Sequence, residues 1–203
     1  MKGHFISFEG IDGSGKSTQA RRLCDYIKKK LKRNCVMVRE PGGTPEGEKI
    51  RKILLDKNSK LTPESELFLF LASRSILTSR IVIPALKQGN FVVADRYSDS
   101  SLAYQGYGRG IDLGIVENGN RIATYGIRPE IVFYIDIPVE VAMKRKNYSD
   151  RMEKEDFLKR VREGYLKLAK KYGYFKIDGT KSTEEIWKIV KAAIDDLIGG
   201  EEI

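Results

Sequence analysis

Residues 10–17 read GIDGSGKS, and this stretch restricts the possible folds of the chain more than any other. It fits the pattern G-x-x-x-x-G-K-[ST] at every fixed position. A short apolar run at residues 5–8 precedes it, and helical spacing begins at Lys16, so the context is strand, loop and helix, as the pattern requires. A glycine-rich turn before an ordinary helix is the alternative, which the agreement of motif and context disfavours.

Such a loop binds phosphate through its backbone. Its glycines allow conformations closed to other residues, so that successive N–H groups turn towards an anion beside a helix N-terminus. Lys16 would reach the β- and γ-phosphates of a bound nucleotide, and the Ser17 hydroxyl would ligate Mg²⁺. We therefore predict an ATP-binding segment made of Gly10, Ile11, Asp12, Gly13, Ser14, Gly15, Lys16, Ser17 and Thr18.

Further apolar runs predict a parallel sheet. They lie at residues 35–39, 91–95, 131–135 and 174–177, and helical stretches separate them. Five strands alternating with helices favour a three-layer α/β fold with a five-stranded parallel sheet flanked by helices. At 203 residues, the chain suits a single domain over residues 1–203.

The third strand ends in a carboxylate, Asp95, followed at once by Arg96. In phosphate-loop proteins an aspartate closing a buried strand holds Mg²⁺ opposite the loop hydroxyl. A helix-capping role for Asp95 remains the alternative. The adjacent cation and anion suit a site that handles two phosphates.

A basic segment, KRKNYSDR at residues 144–151, follows the fourth strand. A solvated basic loop is its usual meaning. Beside a phosphate loop, a lid whose arginines close over a polyphosphate is the reading we favour.

Composition limits the partners. The net charge of +9 favours polyanions, although much of the excess falls on solvated helical faces. We expect no membrane span, and no basic and aromatic stripe indicates nucleic-acid binding. Cys24 and Cys35 lack metal-ligand spacing, so we expect buried reduced thiols and a cytoplasmic location.

Five segments together resemble the thymidylate kinase family along nearly the whole chain. They are FEGIDGSGKST (8–18), REPGGT (39–44), FLASR (70–74), DRYSDSSLAYQGYGRG (95–110) and DRME (150–153). The resemblance implies a nucleoside-monophosphate-kinase fold, usually a homodimer, that transfers the γ-phosphoryl group of ATP to dTMP.

The resemblance also implies roles for individual residues. Phe70 would stack on the thymine ring, Arg74 would donate to its 4-carbonyl oxygen, and Ser101 and Gln105 would read the remaining base edge.

The other implied roles concern sugar and phosphate. Asp12 would bind the 3′-hydroxyl, Tyr104 would fill the space of a ribose 2′-hydroxyl, and Arg51 and Arg96 would hold the acceptor phosphate. Glycine at position 13 places the chain in the version of the family whose catalytic arginine lies in the lid, so Arg145 and Arg151 would approach the transferring group.

This chemistry needs no general base, because a phosphate monoester with a second pKa of about 6 is already an oxyanion at neutral pH. The only histidine, His4, precedes the first strand. Two alternatives remain, a kinase for another nucleotide or nucleoside and a nucleotide-gated module that contacts nucleic acid.

Overall fold

A parallel five-stranded sheet forms the centre of the computed structural model, which describes residues 3–56, 58–145 and 152–199. The strand order is β2–β3–β1–β4–β5, and every neighbouring pair is parallel. This confirms the predicted fold. The strands are β1 (Phe5–Glu9), β2 (Cys35–Arg39), β3 (Phe91–Asp95), β4 (Ile131–Asp136) and β5 (Phe175–Asp178).

Helices cover both faces of the sheet. They are α1 (Lys16–Lys29), α2 (Pro45–Leu55), α3 (Pro63–Leu77), α4 (Ile83–Lys87), α5 (Ser98–Ser101), α6 (Leu113–Ala123), α7 (Val139–Arg145), α8 (Met152–Tyr172) and α9 (Thr183–Gly199), and two π-helical turns, Thr78–Val82 and Leu102–Gly108, continue α3 and α5.

Successive side chains of a strand point to opposite faces of the sheet, so the hydrophobic core has a part on each face. In β3, Phe91 and Val93 pack in a cluster with residues of α1 and α9. Val92 and Ala94 face the opposite side, where they pack with Leu77 and its neighbours. Both faces are covered at the central strands β1 and β3, which are buried at every position and read as nearly continuous apolar runs in the sequence.

The strand register brings three chain segments to one edge of the sheet. Phe8 of β1 lies beside Asp95 of β3, and Arg39 of β2 lies on the other side of Asp95. The phosphate loop, the REPGGT segment and the acidic strand end therefore leave the sheet side by side. Open α/β sheets bind ligands at this carboxyl edge.

The helical run Pro63–Lys87 was not anticipated as a possible membrane span. The run is 25 residues long, and an 18-residue stretch within it has a mean hydropathy of 1.5, which is sufficient by length and composition alone to cross a membrane. Core helices of globular domains share those two properties. In this chain α3 packs against α2 and α6, and its Arg74 is buried in an ion pair inside the protein.

The polar segment after β3 is a buried helix. Ser98–Ser101 are all buried, and the π-helical turn that follows lies against α8. Glycines allow the close approach, because a Cβ at Gly108 would lie 2.7 Å from the Phe157 ring and one at Gly164 would lie 2.7 Å from Tyr107. This packing holds the side chains of the segment towards the carboxyl edge of the sheet.

Candidate active site

The loop between β1 and α1 has the backbone geometry of an anion cradle. Gly10 has a φ of +139°, and a Cβ there would lie 2.4 Å from the Ile135 carbonyl oxygen. Gly15 occupies the N-cap of α1 with a φ of +96°. Since glycine supplies no capping side chain, the first N–H groups of α1 are left to a ligand.

Lys16 is folded back onto its own loop. Its Nζ donates to the Ile11 carbonyl oxygen at 2.9 Å and to Ser14 Oγ at 3.4 Å, and the residue is only 5% exposed. Burial, with the nearby Arg96 charge, lowers the pKa of the Lys16 ammonium to about 7. A bound phosphate would favour the charged form again.

Ser17 and Asp95 lie together, as the sequence predicted. The Ser17 hydroxyl donates to the Asp95 carboxylate across the gap between α1 and β3. A hydroxyl and a carboxylate are oxygen donors of the kind that Mg²⁺ prefers. The described ranges contain no group of three or more His, Cys, Asp or Glu that could hold a metal. A Mg²⁺ at this position would therefore take its other ligands from substrate phosphates and water, as Mg²⁺ usually does in proteins.

Arg96 occupies the middle of the site. Its guanidinium donates to Asp12 Oδ1 at 2.7 Å, to the Tyr104 hydroxyl at 3.0 Å, to Ser100 Oγ at 3.1 Å and to the Tyr165 hydroxyl at 3.2 Å. Its backbone φ of +73° lies in the left-handed region, which is unusual for a residue with a side chain. Such conformations cluster at active sites, where the surroundings enforce them.

A buried acid, Glu9, is connected to Arg96 through shared hydrogen-bond partners. Glu9 Oε2 accepts hydrogen bonds from Ser100 Oγ at 2.6 Å and from the Tyr165 hydroxyl at 2.9 Å, the same two hydroxyls that Arg96 contacts. Burial, together with the Asp99 carboxylate, raises the pKa of Glu9 to about 7. Glu9 was not predicted as a site residue, although an acid that closes a buried strand just before the loop is a signal visible in the sequence.

One cavity of about 830 Å³ contains most of the predicted site. The residues that the resemblance assigned to the acceptor nucleotide all line it, and so do parts of the phosphate loop and Asp95. These acceptor-side residues are Asp12, Arg51, Phe70, Arg74, Arg96, Ser101, Tyr104 and Gln105. A second cavity of about 450 Å³, at the amino ends of β4 and β5, is lined instead by residues such as Asp99, Arg128 and Tyr172.

Of the two predicted lid arginines, the structure describes one. Arg145 donates to the Gly13 carbonyl oxygen at 3.0 Å and to the Gly179 carbonyl oxygen at 3.3 Å, so it lies against the phosphate loop. Arg151, with residues 146–150, lies outside the described residues.

Arg74 is more deeply engaged than the base-reading role implied. Its five N–H groups make five hydrogen bonds inside the protein, and it is 1% exposed. Its partners are Glu40 Oε2 (2.8 and 2.6 Å), Ser101 Oγ (2.9 Å), Asn120 Oδ1 (2.6 Å) and the Tyr97 carbonyl oxygen (3.1 Å). Donation to a base would require one of these N–H groups to be shared.

Sequence reasoning also missed cavity residues that carry charge. Arg39 follows the second strand, Glu40 pairs with Arg74, and Glu66 accepts from Arg109 Nη2 at 2.9 Å. Arg39 and Glu40 belong to the REPGGT segment, and their place after a strand was the available signal. Glu66 stands one helical turn before Phe70, so a helical repeat could have found it.

Comparisons with known proteins agree. A family model described as thymidylate kinase matches residues 8–190. A thymidylate kinase of Thermosipho africanus (strain TCF52B) is 53% identical over 197 residues, covering 94% of this chain and 97% of that protein. A thymidylate kinase of Kosmotoga olearia is 51% identical over 189 residues, covering 90% of each. A crystal structure of thymidylate kinase from Ehrlichia chaffeensis superposes with a TM-score of 0.78 at 35% identity, covering 95% of this chain and 99% of that chain.

The buried ion pair between Glu40 and Arg74 gives a stability prediction. Glu40→Gln keeps the size of the side chain but leaves the Arg74 charge without its counterion. We expect the free energy of unfolding in urea to fall by about 3–5 kcal/mol. Glu46→Gln is the matched control, because Glu46 pairs with Arg80 on the surface and its loss should leave stability unchanged. Equal stability of the two variants would contradict the prediction.

Lys16 gives a pH prediction. With a pKa of about 7 in the free protein, the side chain is mostly neutral at pH 8. Phosphate binding raises that pKa, so the affinity for ADP should fall as the pH rises above 7, a range in which the ADP phosphates are already fully ionised. Calorimetry at pH 8 in buffers of different ionisation enthalpy should show uptake of about one proton per ADP.

Lys16→Met is the control for this measurement, since it cannot take up that proton. Equal proton uptake in the wild-type protein and in Lys16→Met would show that Lys16 is already charged before the nucleotide binds.

Proposed function

The chain belongs to the thymidylate kinase family, and we propose that it transfers the γ-phosphoryl group of ATP to dTMP within the 830 Å³ cavity, giving dTDP and ADP. The position of Arg96 is the observation that carries this proposal. Its guanidinium lies between the phosphate-loop residue Asp12 and the cavity residue Tyr104, where the donor and acceptor phosphates would meet. We further propose that one domain over residues 1–203 performs the reaction in the cytoplasm.

The reaction joins two anions, and the site supplies positive charge for both. The phosphate loop and Lys16 face the donor, while Arg51 and Arg96 line the acceptor side. An acceptor phosphate is already deprotonated at neutral pH, so the protein has to align it rather than remove a proton. Catalysis of this kind depends on positioning and on charge stabilisation.

Mg²⁺ would be held by Ser17 and Asp95, and when bound it would neutralise part of the charge on the donor phosphates. The hydroxyl and carboxylate are already in contact, which supports the assignment. Arg145 donates to the Gly13 carbonyl oxygen of the phosphate loop. From there it would approach the transferring phosphoryl group from the side of the loop that faces away from Arg96. A corresponding role for Arg151 stays a prediction.

The rest of the cavity suits a thymine nucleotide. Phe70 offers a ring for stacking, and Ser101 and Gln105 offer polar atoms for the base edge. Tyr104 contacts Arg96 through its hydroxyl and through its ring, 4.9 Å from the guanidinium carbon. The family resemblance implies that Tyr104 would also fill the space of a ribose 2′-hydroxyl. Asp12 would bind the 3′-hydroxyl.

Coupled assays of ADP release test the proposal. We expect efficient ATP consumption with dTMP, weaker consumption with dCMP, and little with thymidine, which lacks the acceptor phosphate. Arg96→Ala should lower kcat by about 10²-fold or more, because a group that stabilises charge in the transition state is lost. The control Arg22→Ala removes a half-buried arginine that pairs with Glu184 away from the cavity.

Two outcomes would contradict this assignment. Thymidine used more efficiently than dTMP would indicate a nucleoside kinase. Turnover of Arg96→Ala within about twofold of that of Arg22→Ala, with both folded, would remove Arg96 from the reaction.

We also propose that two copies of the chain associate through an apolar face of α3 and α6. These helices pack together so closely that a Cβ at Gly119 would lie 2.6 Å from Leu71 Cδ1. Beside this contact, Phe68 is 68% exposed and Ile122 is 74% exposed. Large exposed apolar side chains on neighbouring helices indicate an association surface.

The double variant Phe68→Lys, Ile122→Lys should shift the protein from dimer to monomer in light scattering coupled to size exclusion. Ile53→Lys, Leu55→Lys is the matched control, since those side chains are also exposed but lie on α2. A wild-type protein that is monomeric at micromolar concentration, or a control that dissociates equally, would contradict the proposed face.

A further inference from the structure

Three residues of α3 form a stripe along one side of that helix. Glu66, Phe70 and Arg74 are spaced four apart, so they lie above one another, and all three line the cavity. The resemblance assigned Phe70 and Arg74 to the base and gave no role to Glu66. Its side chain is 18% exposed, so most of its surface is covered by neighbours.

Glu66 is bonded to two neighbours on the π-helical side of the cavity. Its Oε1 accepts from Gln105 Nε2 at 2.8 Å, and its Oε2 accepts from Arg109 Nη2 at 2.9 Å. Gln105 is 2% exposed, so its carboxamide is fixed where it stands. Within the described residues, no donor is bonded to the other end of that amide, Gln105 Oε1.

The chemistry of the pair decides which end of the amide faces the cavity. An ionised carboxylate accepts hydrogen bonds and cannot donate one. Gln105 must therefore point its nitrogen at Glu66, because the reversed amide would bring two acceptor oxygens together. The carbonyl oxygen of Gln105 is left as a fixed acceptor at the wall of the cavity.

A fixed acceptor selects among pyrimidines. Thymine and uracil carry a ring N3–H donor, whereas the N3 of cytosine is an acceptor. With cytosine bound, the Gln105 carbonyl oxygen would face the N3 acceptor, or the amide would have to reverse and lose its hydrogen bond to Glu66. Either arrangement leaves a buried polar group unpaired, which is the strongest basis for discriminating between two bases.

We propose that Glu66 is a positioning residue that holds the carbonyl end of Gln105 towards the base and so favours pyrimidines bearing an N3–H, thymine and uracil, over cytosine. The inference rests on the proposed function, since it requires the base to enter this cavity.

Glu66→Gln tests the inference with little change in shape. An amide at position 66 can present either its oxygen or its nitrogen to Gln105, so both orientations of Gln105 become accessible. We expect kcat/KM for dCMP to rise about tenfold, which is the factor that one ordinary hydrogen bond represents. The gain should come from a lower KM, and kcat/KM for dTMP should fall by no more than about threefold.

Two further variants separate positioning from general disturbance. Arg109→Met removes the second partner of Glu66 but keeps the acceptor next to Gln105, so the ratio of dTMP to dCMP efficiency should stay as in the wild type. In a Gln105→Ala background, Glu66→Gln should no longer change that ratio, because the amide that it orients is absent. Circular dichroism and thermal melts verify that each variant is folded.

The outcomes distinguish this inference from the proposed function. A wild-type enzyme without dTMP-dependent ADP release would overturn the function itself. A wild type active on dTMP, with a folded Glu66→Gln whose selectivity is unchanged, would overturn the role of Glu66 alone. An equal change of selectivity in Arg109→Met would also overturn it, since the ion pair rather than the amide would then be responsible.

Discussion

The site depends on holding one guanidinium, that of Arg96, at the point where β3 leaves the sheet. Register places Asp95 beside Phe8, and the Arg96 amide donates to the Phe8 carbonyl oxygen at 3.1 Å. The chain then turns through a left-handed conformation at Arg96, which brings its side chain back over the phosphate loop. That conformation is unfavourable for a residue with a Cβ, so it must be stabilised by the hydrogen bonds of the Arg96 backbone amide and of its guanidinium group.

Those hydrogen bonds connect Arg96, through shared hydroxyl groups, to a second charged residue inside the protein, Glu9. Glu9 lies beneath Arg96 and shares Ser100 and Tyr165 with it. An unpaired charge in such a position would be strongly destabilising. The raised pKa of Glu9 shows that burial outweighs these favourable contacts. Between about pH 4.5 and 7 the folded state therefore binds a proton that the unfolded state has lost, and the Glu9 contribution destabilises the fold as the pH rises through that window.

Much of the fold could be predicted from the sequence because its signals are local. A glycine motif between an apolar run and a helical repeat fixes the phosphate loop, and continuous apolar runs mark strands that are covered on both faces. The site was predictable only in part, because its remaining parts depend on contacts distant in sequence. Glu40 meets Arg74 34 positions away, and Gln105 meets Glu66 39 positions away. Helical spacing places Glu66, Phe70 and Arg74 on one side of α3, but tertiary packing decides that this side faces the cavity.

Contacts between residues distant in sequence also affect how the residues proposed to read the base would act. Arg74 holds Glu40, Ser101 and Asn120 at once, so it joins the REPGGT segment to α5 and α6 while it lines the cavity. A hydroxyl can accept and donate at the same time. Ser101 Oγ accepts from Arg74, so its own proton would stay available to a carbonyl oxygen of a bound base. The guanidinium charge would make that hydroxyl a stronger donor. In the proposed complex, Arg74 would act on the base through Ser101 without giving up its structural bonds, whereas substituting Arg74 would disturb packing and recognition together.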